Sequence, residues 1–194
     1  MYALWSLRED VSLRAARGGD VDVVSDWGVD RLLNPHPLVS RALERMTWGP
    51  TRLENVTDDR HGAEHPLLVP VLRQLSHLVV RSLALDDRGG PLLSVVPVSR
   101  VVAGGGFCPV RATPQQRVRL TEDVAIWSGA NGPLMTSATS RYSVEMHRQE
   151  VQAVVRAIDG PQQSGCAVDR LPAPVELTCG ILGYFAATGM AALF

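Results

Sequence analysis

Apolar and polar positions alternate at strand spacing near the start of the chain and at helical spacing soon after. The runs Val11–Ala16 and Val21–Val24 flank Arg17-Gly18-Gly19-Asp20, which predicts a hairpin, and Trp27–Leu33 predicts a third strand. In Pro37–Met46 the residues Val39, Ala42, Leu43 and Met46 recur as one helical stripe. Gly49-Pro50 stops that helix, and Thr51–Val56 reads as a short second one. Pro66 opens a long third helix with Leu68, Leu72, Leu75, Val79 and Leu83 on one face. Asp86–Pro91 is then a turn, Leu92–Val102 one or two strands, and Ala103–Pro109 a connector.

The pattern then restarts. Leu7-Arg8-Glu9-Asp10-Val11-Ser12-Leu13 returns as Leu120-Thr121-Glu122-Asp123-Val124-Ala125-Ile126, and each copy reaches a Gly-Pro after a span of similar length. Ala42 and Arg45 align with Ala153 and Arg156. A second long helix, Val175–Leu193, sets Leu182 opposite Leu75 and Met190 opposite Leu83. The expectation is an α+β chain of two tandem winged helix-turn-helix modules, each a three-stranded antiparallel sheet with three helices. Residues 1–102 form the first module, 103–118 a linker and 119–194 a degenerate second copy. With no strands after its last helix, the chain reads as a fragment or as one half of a split protein.

Composition narrows the partners. The 194 residues are 45% hydrophobic with a net charge of −1, and all 19 basic residues are arginine. Three distant cysteines, Cys108, Cys166 and Cys179, show no ligand or pairing spacing, and no secretory segment opens the chain; both features suggest the cytoplasm. His61-Gly62-Ala63-Glu64-His65 fits a zinc-peptidase pattern, but Gly62 and Pro66 put it in a loop where the ligands cannot share a helical face. Gly104-Gly105-Gly106 lacks the following helix that a phosphate cradle needs. Asn55-Val56-Thr57 is a sequon without a secretory context. Leu177–Phe194 is 18 residues without a charge, the lower limit for a membrane span, and reads instead as a buried helix whose glycines permit close packing. No catalytic residue, metal ligand or cofactor-binding residue is expected.

Winged helices grip nucleic acid or peptide. A DNA-binding regulator is the competing expectation, but it needs cationic recognition helices, and Val175–Leu193 holds Glu176 as its only charge. Peptide capture fits an edge strand that accepts a guest backbone. Val29, Asp30, Arg31, Leu32 and Leu33 would supply that edge. Val69, Arg73, Ser76, His77 and Val80, on the outer face of the third helix, would line the groove beside it.

Ser25-Asp26-Trp27-Gly28, Leu32, Ala42-Leu43-Glu44-Arg45-Met46, Gly49-Pro50 and Leu53-Glu54-Asn55-Val56 resemble the N-terminal region of actinobacterial SagB-type dehydrogenases. These are flavin-dependent azoline oxidases acting on ribosomally made, modified peptides. The resemblance spans most of the chain and implies precursor-recognition elements in which a leader peptide adds as a strand between the third strand and third helix. It implies a leader peptide and a flavin-dependent dehydrogenase as partners, with a cyclodehydratase and self-association left open; charge disfavours nucleic acid, and the length of Leu177–Phe194 disfavours a membrane. FMN would belong to a dehydrogenase domain following the second module, separate or missing here, so the chain alone is expected to be non-catalytic.

Overall fold

The computed structural model describes residues 1–55, 66–85, 89–100, 106–129, 132–159 and 165–194. The protein is a mixed α+β chain in two compact units. The first holds Ala3–Arg81 and Ser99–Gly106; the second holds Met1–Tyr2, Ser82–Val98 and Phe107–Phe194. The division therefore differs from the boundary at residue 102 expected from the sequence, because Pro91–Pro97 belongs with the second unit.

In the first unit, β1 (Tyr2–Leu7) precedes a sheet of β2 (Ser12–Ala15), β3 (Val21–Ser25) and β4 (Gly28–Leu32), in that spatial order. The β2–β3 link is a 3-10 turn in which Gly18 and Gly19 take φ values of 76° and 89°, a conformation glycine adopts without steric cost. Helix α1 (Pro37–Thr47) starts with proline at its first position and buries Val39, Ala42, Leu43 and Met46, the expected stripe. A 3-10 turn at Leu53–Asn55 stands where the short second helix was expected. These elements close a core around Val23, Leu32, Leu43, Met46, Leu68 and Leu75.

The long third helix is corrected. Helix α2 spans only Leu68–Gln74; the chain then turns and continues as β5 (Val79–Ala84), whose first half lies beside β1. Five of the six β5 residues are buried. A run buried on both faces carries no alternation, so periodicity cannot separate it from a helix. The same correction holds at the C-terminus. Helix α4 (Val175–Ala187) ends where Gly189, at φ 78°, donates to Ala186 O while Met190 N–H reaches Phe185 O. This Schellman motif releases β12 (Ala191–Leu193) as a strand.

The second unit repeats the element order. β7 (Arg117–Leu120) precedes β8 (Val124–Gly129), β9 (Gly132–Ser137) and β10 (Tyr142–Met146). Then come α3 (Gln149–Ile158), β11 (Cys166–Ala167), a 3-10 turn at Val168–Arg170, α4 and β12. β7 lies between β11 and β12, much as β1 meets Thr51 through a bridge at Trp5. β6 (Pro91–Pro97) enters between β5 and β10, giving the order β5-β6-β10-β9-β8. Gly183 lets α4 approach Val110, whose N–H bonds Gly183 O at 3.0 Å; a Cβ at that glycine would meet Val110 O at 2.2 Å. No helix among the described residues is long and apolar enough to cross a membrane. His61–His65, Gly104-Gly105 and the Val56-Thr57 half of the sequon lie outside the described residues.

Candidate peptide-binding edge

β4 pairs with β3 from Val21↔Leu32 to Ser25↔Gly28. It ends the strand order, and among the described residues Val29–Leu33 makes no further backbone hydrogen bond. The strand's alternation divides its side chains. Leu32 is buried in the core and Asp30 half-buried, while Val29 and Leu33 are 53% and 77% exposed. Arg31, also exposed, reaches across to Asp22 with bonds of 2.7 and 2.9 Å. The Arg31 hydrogen bond and charge hold the Asp22 carboxyl below its ordinary range, and Asp22 in turn raises Arg31.

A polar and aromatic cluster fixes the start of this edge. Asp30 Oδ2 lies 3.0 Å from Nε2 of the buried His77, and Arg100 Nη2 lies 3.8 Å from Asp30 Oδ1. Arg100 Nη1 donates to Trp27 O at 2.8 Å, passing beside Gly28, whose φ of 119° is a conformation that favours glycine. Trp27 stacks on His77 with centroids 6.3 Å apart, and the Arg8 guanidinium lies 3.8 Å over the indole ring. Arg8 also donates to Asp10 Oδ1 at 2.8 Å, while Asp26 N–H donates to Asp10 Oδ2 at 3.0 Å. Burial pushes the Asp10 carboxyl up, but the Arg8 and Asp26 hydrogen bonds and the Arg8 charge outweigh it and hold it low. The hairpin tip and β4 are thus positioned before any guest arrives.

The expected groove wall changes with the loss of the long helix. Val69, half-buried, and Arg73, exposed, remain on α2. Ser76 and His77 sit in the turn after it, and His77 faces Asp30 rather than solvent. Val80 is buried in β5 and cannot line a groove. Trp27, Arg8, Asp10 and Arg100 complete the cluster without having been singled out as site residues. The recurring Glu-Asp pair pointed at Asp10, whereas nothing in the sequence could place distant Arg100.

The second unit holds a different polar chain. Ser82 Oγ meets Ser94 Oγ at 2.8 Å, Ser94 Oγ meets His147 Nε2 at 2.9 Å, and Glu145 Oε2 is 4.0 Å from the same nitrogen. A nucleophile–base–acid relay needs the carboxylate on the other imidazole nitrogen, so Ser94, His147 and Glu145 do not form that relay. Burial lowers the His147 pKa, with Glu145 opposing. Among the described residues no three His, Cys, Asp or Glu side chains gather as metal ligands.

The chain matches no protein-family model, and no curated protein matches it.

Proposed function

We propose that the first unit binds the leader segment of a ribosomally made precursor peptide by strand addition to β4, and presents the remainder to a flavin-dependent azoline dehydrogenase. In this reading each unit is a winged-helix variant, its final helix cut short and continued as a strand, and FMN resides in the dehydrogenase. The observation that carries the proposal is the β4 edge, bonded on one side only, with Val29 and Leu33 exposed beside it. A guest backbone would find its hydrogen-bonding partners there, and its alternate side chains would meet Arg31 on one face and Val69 and Arg73 on the other.

The competing DNA-binding reading gains nothing from α2 or α4, the helices in the recognition position. α2 has seven residues, and α4 buries Leu177, Thr178, Ile181, Leu182, Gly183, Tyr184 and Phe185, leaving no cationic face for a major groove.

The test titrates a labelled leader, taken from a precursor encoded beside this chain, against random duplex DNA at two salt concentrations. Leader binding with a shallow salt response is expected. Tight duplex binding with a steep salt slope, and no leader binding, overturns the proposal. Arg31→Glu combined with Arg73→Glu is expected to weaken the leader by about fivefold or more; unchanged affinity removes the groove.

A further inference from the structure

β8 ends a sheet in the second unit. It is paired to β9 alone, from Val124↔Ser137 to Gly129↔Gly132. Natural edge strands are usually blunted by charge or proline, yet Val124–Gly129 contains neither. Its outer residues are apolar and open: Ile126 is 39% and Trp127 61% exposed.

The same edge borders a cleft of about 200 Å³ against α3, lined by Ile126, Ser128, Pro133, Gln152, Val155 and Arg156. Strand register explains its shape. Ile126 lies opposite Met135, and Met135 opposite Val144, so this row runs along the face that α3 covers. The helix covers the inner strands and stops short of the edge, leaving Ile126 and Ser128 as the floor and Gln152, Val155 and Arg156 as the wall. Arg156 is exposed, and among the described residues it has no carboxylate or other partner.

We propose that this groove takes an extended segment of an acidic partner polypeptide, added as a strand to β8, with an apolar side chain over Ile126 and a carboxylate two residues along paired with Arg156. Neighbours directly opposite in a sheet share a face, and residues two apart on the guest do the same. One guest strand therefore delivers an apolar side chain and an acid to the two places that call for them. A second copy of this chain fits less well, because its own Val124–Gly129 brings no carboxylate to Arg156. The site is separate from β4 and stands whether or not the leader-binding proposal does.

The test follows backbone amide signals of the full chain by NMR while adding a disulfide-closed hairpin peptide. Its free strand is threonine-rich, with leucine and, two residues on, glutamate; a twin carries lysine in place of the glutamate. The expected result is perturbation of Val124–Gly129 with Gly28–Leu32 unmoved, and a twin about fivefold weaker. Arg156→Glu, an exposed substitution, should reverse the order of the two peptides with an unchanged unfolding midpoint. Equal affinity for both peptides, perturbation elsewhere, or no binding at millimolar concentration overturns the proposal. So does a dimer in sedimentation that Ile126→Lys dissolves, which would give the edge to a second copy.

Discussion

β4 and β10 stand at the same place in two repeats of one element order, and their fates differ. Each is the third strand of a hairpin sheet and each leads into an amphipathic helix, α1 or α3. The turns before them are held alike. Asp10 accepts from Asp26 N–H and Asp123 from Thr139 N–H, each sixteen residues along, while Ser25 Oγ and Ser137 Oγ accept from Trp27 N–H and Thr139 N–H. Yet β10 is bonded on both sides, to β9 and, from Tyr142↔Pro97 to Met146↔Leu93, to β6. The chain itself supplies the strand that the first unit leaves out. An edge of this kind evidently accepts an antiparallel neighbour without disturbing the hairpin, and β6 does so with Leu93 and Val95 fully buried. The second repeat is thus closed to a guest at β10, and of these two matching third strands β4 alone has an edge free for one.

The comparison is tested most strongly in the cores. Met46 in the first unit and Met135 in the second are both fully buried. Replacing either by alanine is expected to destabilise its own unit by about 2–5 kcal/mol, read from denaturant unfolding. Hydrogen exchange should show lost protection confined to the unit that carries the change. Equal loss in both would mean that the repeats unfold as one body.

A smaller effect separates the units by pH. Burial lowers the His147 pKa in the folded second unit relative to its ordinary 6.5. As pH falls below that value the unfolded chain takes up a proton that the folded form resists, so the second unit loses stability until the folded pKa is reached. His147→Gln should flatten this response below the ordinary value of 6.5, without altering the first unit.

The smallest effect concerns the matched aspartates. Hydrogen bonds from Ser137 and Thr139 hold the Asp123 carboxyl far below its usual range, and Asp10 is also held low. Both carboxylates contribute stability above the ordinary value of 3.8, and that contribution is lost as pH falls through the folded pKa. Asp10→Asn should blunt the acid response of the first unit only, and Asp123→Asn that of the second, in acid titrations followed by hydrogen exchange.

What was legible in the sequence is what the chain does locally. The β2–β3 hairpin follows from two β-branched runs around Gly18-Gly19, and α1 from its apolar stripe and leading proline. The Glu-Asp pairs mark matching positions, because Asp10 and Asp123 each hold the turn sixteen residues along. The strands that frame each unit were not legible. β1, β7 and β12 acquire a partner only after the fold returns to them, while β5 is buried on both faces and mimics a helix. At the site, Asp30 and His77 were both named, but as a strand residue and a helix-face residue. Their hydrogen bond depends on where α2 stops, which the pattern Leu68, Leu72, Leu75, Val79 conceals.

The position of β6 bears on how the chain is made. Synthesis delivers Pro91–Pro97 well before Tyr142–Met146, so of its two sheet neighbours this strand first meets only β5, with its far side unclaimed. At about 5–20 residues per second that interval lasts several seconds, during which a row of leucine and valine stays available to a chaperone or a neighbouring nascent chain.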